Sequence, residues 1–352
     1  MREKILFKKD ISKFQKDLSG TYNFFAPLKV DGNIVFQKIE NPDQIQLEYY
    51  NSKIPPKNIL FPMMETLFTY KKDGDQIIIE EPRDLDERNL IFGIRPCDAH
   101  SFELLENFFD FGQFKDTNFL KRRENTVLIG IACNTPKQTC FCTSLEGSPF
   151  NKTNMDIFLV DLKDKYLLTP VSNKGKKIIK ELTWLSDPKE DDLEKAVELQ
   201  EEAELSIKTN LNFKDIYKVL NNNFNHPIWK EISETCLGCG TCAFLCPTCH
   251  CFDVIEENDH YENRGRRVRI WDTCQSCLYT LHTSGHNPRP TRIERCRNRI
   301  LHKFCYYPEN YELIGCVGCG RCIHYCPVNN DLRKIIGKIN KIKEKEEEIL
   351  VA

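Results

Sequence analysis

No long apolar run occurs in this chain of 352 residues. The longest candidates, such as Val127 to Ala132, are interrupted by glycine and fall far below the ~18 residues that a membrane span needs. The N-terminal MREKILFKKD lacks the apolar stretch of a secretory signal, so the chain is expected to be soluble and cytoplasmic. Neither sign of charge dominates. Lys and Arg number 50 against 52 Asp and Glu, a formal net charge of -2, and this gives no bulk electrostatic reason to bind nucleic acid. A Gly-x-Gly-x-x-Gly fingerprint is also missing, so the chain is not expected to bind NAD(P)H itself. Cysteine is absent between Thr143 and Thr235. That gap matters because the chain otherwise holds 18 cysteines, four between Cys97 and Cys142 and fourteen between Cys236 and Cys326. Without a secretory signal, so much cysteine points to metal or iron–sulfur ligation in preference to disulfides.

One internal repeat stands out. TCLGCGTCAFLCP (Thr235–Pro247) recurs as GCVGCGRCIHYCP (Gly315–Pro327), with four Cys, a Gly after the second Cys and a Pro at the same offsets. Each copy is Cys-x2-Cys-x2-Cys-x3-Cys-Pro. Three closely spaced thiolates grip one cubane, and in two-cluster ferredoxins the fourth Cys ligates the other. One [4Fe–4S] cluster is therefore expected on Cys236, Cys239, Cys242 and Cys326, and a second on Cys316, Cys319, Cys322 and Cys246. Gly240 and Gly320 allow close backbone approach, and Pro247 and Pro327 mark the loop exits. A structural zinc site normally shows separated Cys pairs, which fits this spacing poorly. Clusters without an open coordination site carry electrons and leave substrate chemistry to other proteins.

Residues 1–185 read as a mixed α/β domain. A hairpin is expected within 68–80 around Asp73-Gly74, strands at Asn89–Ile94 and Thr126–Ala132, a helix over 98–109 and a strand pair within 156–169. Cys97 follows the first of the two buried strands, Cys133 follows the second, and Cys140 and Cys142 come after. If these strands are parallel, their loops emerge at one sheet edge, where open α/β sheets place cofactors. The quartet Cys97, Cys133, Cys140 and Cys142 is read as a third [4Fe–4S] site, with zinc or no metal as the alternatives. Asp98 and His100 are possible replacement ligands or supporting groups, and a Cys97–His100 nucleophile lacks an orienting third group. Residues 186–229 read as a helical linker with Asp187 as N-cap, Pro188 at the first helical position and a stripe from Leu193 and Val197 to Ile207.

Residues 230–352 read as a two-cluster ferredoxin-like domain carrying a long insertion, 248–315, and a C-terminal helix with Leu332, Ile335, Ile336, Ile339 and Ile342 on one face. The insertion adds Cys249, Cys251, Cys274 and Cys277, a further four-thiolate candidate for zinc or another cluster, whose bland alternative is structural cysteine. Cys296 and Cys305 are read as inert. The insertion is basic, with Arg264, Arg266, Arg267, Arg269, Arg289, Arg292, Arg295, Arg297, Arg299 and Lys303. Such cations would offset the negative clusters and raise their potentials. They would otherwise serve docking to an acidic partner or a nucleotide phosphate.

The segments FPMMETLF (Phe61–Phe68), FGIRPCDAH (Phe92–His100), RRENTVLIGIACN (Arg122–Asn134), CFC, CPTCHCFDV, WDTC, SGHNPRP and HKF together resemble the beta subunit of cytoplasmic sulfhydrogenases and, equally, the A subunit of anaerobic sulfite reductase. The resemblance spans about residues 55–330 with the motifs in order. It implies a non-catalytic electron-transfer subunit. It also implies a neighbour similar to ferredoxin–NADP reductase that holds FAD, a [2Fe–2S] cluster and NAD(P)H. The far partner would be a [NiFe] hydrogenase, a sirohaem sulfite reductase or heterodisulfide reductase. The chain lacks the Cys-x2-Cys pairs expected near both termini of a [NiFe] subunit, so it is expected to be the wire and neither terminal. Two rival readings remain: a stand-alone iron–sulfur reductase acting on a sulfur compound, and a zinc-binding structural protein.

Overall fold

A computed structural model describes residues 3–81, 84–259 and 261–351. The chain forms two compact units, each assembled from separate stretches. Unit 1 takes the chain up to Pro136, Ser148–Ser206 and Phe252–Trp271. Unit 2 takes Lys137–Gly147, Ile207–Cys251 and the chain from Asp272 on.

The strands of unit 1 are β1 (Lys4–Phe7), β2 (Asn23–Val30), β3 (Asn33–Lys38), β4 (Met64–Asp73), β5 (Gln76–Glu80), β6 (Asn89–Ile94), β7 (Thr126–Ile131), β8 (Ile157–Asp161), β9 (Lys165–Pro170), β10 (Phe252–Asp259) and β11 (Arg264–Trp271). Seven of them form one sheet in the order β1-β9-β8-β7-β6-β2-β3. The pairs β2–β6, β6–β7 and β7–β8 are parallel and the outer pairs antiparallel. β6 (NLIFGI) and β7 (TVLIGI) are buried at every position, because both faces of this sheet are covered. On one face Leu90, Phe92, Val127 and Ile129 meet Phe14 and Leu18 of helix Ile11–Ser19 and Ile178 of helix Asn173–Glu181. On the other, Ile91, Ile94 and Leu128 meet Phe102, Leu105 and Phe109 of helix Pro96–Phe109. The uniform apolar runs of these strands are the sequence trace of that two-sided burial.

The expected hairpin is β4–β5, and it continues into a second, antiparallel sheet, β10-β11-β4-β5. The residues that supply β10 and β11 lie in the middle of the cysteine-rich half of the chain, yet β11 pairs with β4 in unit 1 and carries β10 at the sheet edge. Buried Arg269 of β11 sits between Glu65 of β4 and Asp116, and Arg122 also donates to Glu65. The Arg269 guanidinium lies over the rings of Phe61, Phe109 and Phe252, at 5.0, 5.4 and 5.4 Å. Charges this deep are tolerated because each is paired and hydrogen-bonded.

This placement corrects the reading of the basic insertion. Arg266 and Arg267 pair across the strand with Glu257 and Glu256, and Arg264 pairs with Glu262. Together with Arg269 they balance carboxylates of unit 1. Of the insertion's cations, Arg292, Arg295, Arg299 and Lys303 lie near thiols.

The helix expected from Asp187-Pro188 begins later and runs Glu190–Ser206. Asp187 is held by Lys4 at 2.7 Å, and the first turn is closed instead by Asp192, whose carboxylate accepts from Lys189 N–H at 3.0 Å. Ala196, Leu199 and Ala203 form the packed stripe, while Leu193 and Val197 face solvent.

Unit 2 is helical. Its core gathers Trp229 and Ile232 of helix Ile228–Ser233, Ile300 and Leu301 of helix Arg292–Leu301, Phe304, and Leu332, Ile335, Ile336 and Ile339 of the terminal helix Leu332–Val351. Helix Arg292–Leu301 opens with a capping box in which Thr291 and Glu294 satisfy each other's backbone N–H groups. It then passes through one π-helical stretch, His302–Tyr306, and ends as Tyr307–Tyr311. Among the described residues no helix is long and apolar enough to cross a membrane.

Candidate iron–sulfur site

The two cysteine runs fold alike. Each begins as an open loop with two glycines in the left-handed region, Gly238 and Gly240 in the first, at φ 69° and 76°, and Gly318 and Gly320 in the second, at φ 63° and 72°. Each loop leads into one helical turn, Thr241–Phe244 or Arg321–His324. A side chain would be strained at these φ values, and the loops turn backbone N–H groups toward sulfur. Gly238 N–H donates to Cys236 Sγ at 3.4 Å and Asn330 N–H to Cys326 Sγ at 3.2 Å.

Cys236, Cys239, Cys242 and Cys326 line one cavity. Three come from the first run and Cys326 from the end of the second, and Cys322 of the second run and Cys296 line the same cavity. The electrostatic neighbours of the second set match as well: Cys316 and Cys322 both feel Cys319 and Cys246. Among the described residues no three His, Cys, Asp or Glu side chains close around a single ion. A cubane spaces its thiolates across its corners and does not need that closeness. The donor sets therefore suit two four-thiolate clusters.

One helical rod supplies the charge that such clusters need. Arg292, Cys296, Arg299 and Lys303 recur at helical spacing on one face. Arg292 donates to Cys236 O at 2.6 Å, and Arg299 to Cys249 Sγ at 3.6 Å. Lys303 donates to Thr248 Oγ1 at 2.7 Å and Gly315 O at 2.8 Å. Burial works against the charges of Arg299 and Lys303. The surrounding thiols outweigh it and hold both pKa values above their ordinary range: Cys242, Cys249, Cys322 and Cys246 for Arg299, and Cys246, Cys249 and Cys316 for Lys303. Arg299 thus lies within electrostatic reach of thiols of both sets. Cys236 is pulled down to about 6, first by contact with the Cys296 thiol, then by Gly238 N–H and the cations Arg292 and Arg295. Burial pushes Cys316 up to about 11, against the pull of Lys303.

Each loop is covered by a strap that carries cysteine. A Cβ added at Gly318 would stand 2.5 Å from Cys142 N, and one at Gly320 2.5 Å from Thr139 O. Phe141 N–H donates to Gly318 O at 2.9 Å, and Cys140 Sγ lies 3.7 Å from Cys319 O. The first loop has a looser counterpart in Thr273–Gln275: a Cβ at Gly240 would stand 3.0 Å from Thr273 Cγ2, and one at Gly238 3.7 Å from Gln275 O.

The N-terminal quartet is divided. Cys97 and Cys133 belong to unit 1, Cys140 and Cys142 to unit 2. β6 and β7 are parallel, so Cys97 and Cys133 do leave the sheet at the same edge. Cys97, in the first turn of helix Pro96–Phe109, has Sγ 3.8 Å from Asn51 Oδ1. Burial raises the Cys133 pKa, and Arg95 opposes it. Arg95 itself is fixed by Tyr50 O at 3.1 Å and by Tyr49 O and Ala132 O. Burial lowers the pKa of His100, whose charged neighbour is Glu103.

Among the insertion cysteines, Cys249 meets Cys246, while Cys251 meets Cys274 and the Tyr279 hydroxyl. Cys277 is exposed. Cys305 is a core thiol, raised to about 11 by burial. Cys296, read as inert from the sequence, lines the cavity of the first set. The straps and the roles of Thr248 and Cys296 escaped the sequence reading. The only available signal was the second repeated glycine, Gly238 and Gly318, which marks a loop that something covers.

Residues 235–330 match the family model described as a 4Fe-4S dicluster domain. No solved structure matches the chain. The chain is 31% identical over 343 residues to sulfhydrogenase 2 subunit beta of Pyrococcus furiosus, covering 97% of this chain and 99% of that one. With the dicluster region in place and the similarity running almost end to end, the chain belongs to the sulfhydrogenase beta-subunit family of iron–sulfur electron-transfer proteins.

Proposed function

We propose that this chain relays electrons, within a cytoplasmic complex, between a FAD- and NAD(P)H-binding flavoprotein subunit and a catalytic subunit, with a [NiFe] hydrogenase the first choice and sulfite reductase or heterodisulfide reductase the others. The observation that carries this reading is a cavity on which cysteines of both runs converge, with the buried cations Arg299 and Lys303 among thiols of both runs. Cys236, Cys239, Cys242 and Cys326 would hold one [4Fe–4S] cluster, and Cys316, Cys319, Cys322 and Cys246 the other. Such a group supplies reversible uptake of one electron. The chain's own residues do the rest. The glycine loops aim N–H groups at sulfur, Arg299 and Lys303 offset negative charge, and the straps limit water at the thiolates. Every thiol of the two sets is used for ligation, which supports a relay over substrate chemistry.

A third [4Fe–4S] cluster on Cys97, Cys133, Cys140 and Cys142 is part of the proposal. Its support is the shared edge reached by Cys97 and Cys133 after parallel strands. The rival set is Cys249, Cys251 and Cys274, with Cys277 at the surface.

The test is iron, acid-labile sulfide and zinc per chain after anaerobic purification, with EPR of the reduced protein. Iron for two or more cubanes is the expected result. Iron for three that falls by one cluster in Cys97→Ser assigns the third to the N-terminal quartet, and the same loss in Cys274→Ser reassigns it to the insertion. A zinc-loaded chain without iron overturns the relay, and turnover of a sulfur compound by the isolated chain overturns the non-catalytic part.

A further inference from the structure

The antiparallel sheet of unit 1, β10-β11-β4-β5, has two edges, and they are built differently. β10 carries Asp253, Glu256, Glu257 and Asp259 along its length, and charges of this kind discourage a further strand. β5 is isoleucine at its three central positions, without proline, and pairs with β4 without a bulge. Ile77, Ile78 and Ile79 are 68, 45 and 63% exposed, and none of them joins a packed apolar cluster. Side chains alternate across a strand, so three bare neighbours mean that neither face of β5 lies on the core. The backbone is open as well. Gly74, at φ 61°, and Asp75 form a two-residue turn that closes on the pair Asp73–Gln76. Hydrogen-bonded pairs then fall at Asp73–Gln76, Lys71–Ile78 and Thr69–Glu80, and the intervening Ile77 and Ile79 turn N–H and C=O to the open edge. Both ends of that edge are acidic, with Asp75 at the turn and Glu80 and Glu81 at the other end, all exposed. Lys71 and Lys72 stand on β4, one strand further from the open side.

We propose that the β5 edge docks an extended segment of a different protein chain, an apolar strand bounded at both ends by Lys or Arg, which joins the sheet beside β5. Ile77 and Ile79 supply the main-chain hydrogen bonds that give such strand addition its affinity. Their side chains on one face, and Ile78 on the other, receive the apolar residues of the incoming strand. Its terminal cations meet Asp75 at one end and Glu80 and Glu81 at the other. A second copy of this chain is a poor occupant. Antiparallel pairing of two β5 strands about Ile78 sets Asp75 opposite Glu81 at both ends, and like charges directly opposite destabilise a strand pair. The docking site goes beyond the relay reading and uses none of its cysteines.

The experiment uses the full chain, alone and in its assembled complex, and reads amide hydrogen exchange over Gln76–Glu80. Two peptides serve as probes, each an alternating valine–threonine strand, one with paired lysines at both ends and one with paired glutamates. In the chain alone the Ile77 and Ile79 amides should exchange fast. The lysine peptide should slow them about tenfold at nine-tenths occupancy, since only the free tenth then exchanges, and the glutamate peptide should not. In the complex they should be slow without any peptide. Ile79→Pro removes an outward N–H and no bond to β4, and edge strands accept proline on that side. Ile79→Lys keeps the backbone and sets a cation where the partner brings its own. Both variants should abolish the slowing, while unchanged exchange at Lys71 and Ile78 shows that the hairpin has formed. Equal slowing by both peptides, slowing by neither, or β5 amides that stay fast in the complex overturn the proposal. So does a dimer in sedimentation whose β5 amides are slow until Ile79→Pro splits it, because the occupant is then a second copy. Failure of the relay reading is distinct: it shows as a chain without iron and leaves these exchange results as they are.

Discussion

The two cysteine runs have the same spacing and the same glycines, and their surroundings differ. The second loop is clamped. Its glycines lie so close to Thr139–Cys142 that no side chain fits, and Val317 is buried beside them. The first loop is half open. Gly238 has ordinary van der Waals room before Gln275, Leu237 is 59% exposed, and Cys239 is exposed where Cys319 is only half-buried. Spacing fixes which thiols can share a cluster, and the covering segment fixes how wet and how rigid that cluster is. Duplication of a ligand motif thus leaves room for two clusters of unequal character, which a relay between two different partners can use.

The largest test of the comparison is the crossing itself. Cys326→Ser should remove the cluster whose other ligands lie in the first run, and Cys246→Ser the one whose other ligands lie in the second, each with loss of about four irons per chain. Iron quantification with EPR of the surviving cluster checks this. If either variant removes the cluster of its own run, the crossed assignment fails.

Glycine replacement should separate the loops next. Gly318→Ala combines positive φ with a clash against Cys142 backbone, so strain of about 1–2 kcal/mol for the left-handed conformation adds to about 1–3 kcal/mol of overpacking. Gly238→Ala meets only the first term, because its nearest neighbour is 3.7 Å away. Thermal unfolding of the cluster-loaded chain should therefore fall further for Gly318→Ala. Equal losses would mean that the strap over the second loop is not rigid.

The shared cation gives a third, smaller contrast. Arg299 is surrounded by thiols of both sets, whereas Arg292 touches only Cys236. Arg299→Gln should lower both midpoints and Arg292→Gln only the first. A hydrogen bond to a charged group contributes ~1.5–3 kcal/mol, and ~1.4 kcal/mol corresponds to about 59 mV for a one-electron couple. Redox titration of the two variants reads the difference directly.

What the sequence made legible follows the range of the interaction. The dicluster region was readable because its repeated cysteines stand at local offsets, two and three residues apart. β6 and β7 were readable because burial on both faces writes continuous apolar runs, and helix Pro96–Phe109 because Ala99, Phe102, Leu105 and Phe109 recur at helical spacing. β1 was not, since its four residues make sense only against β9, more than 150 residues away. The same holds for β10 and β11, whose Glu–Arg alternation suits a solvent-facing hairpin, while their assignment to unit 1 depends on pairing with β4. The basic insertion misled for that reason: composition cannot tell an arginine beside Glu65 from one beside Cys249. Cys296 was missed because a single cysteine on an Arg-rich helix has no spacing to read. It lines a cavity with cysteines more than 50 positions before it and 26 to 30 positions after it.

The finest distinction between the runs is kinetic. With Cys239 and Leu237 exposed and the Thr273–Gln275 strap standing off, oxidant or chelator reaches the first set before the second. Exposed thiolates are the ones that oxidise first. On controlled exposure of the loaded chain to oxygen, the EPR signal of the first cluster should decay ahead of the second, and replacing exposed Leu237 by Ala should widen the gap slightly by opening the mouth of the cavity. Simultaneous decay would show that the two loops open together, so that the strap over Gly318 and Gly320 protects nothing by itself. Loss of the second cluster first would reverse the comparison, and would locate the weak point of the relay at Thr139–Cys142, the strap that the chain builds from a segment far outside the cysteine-rich region.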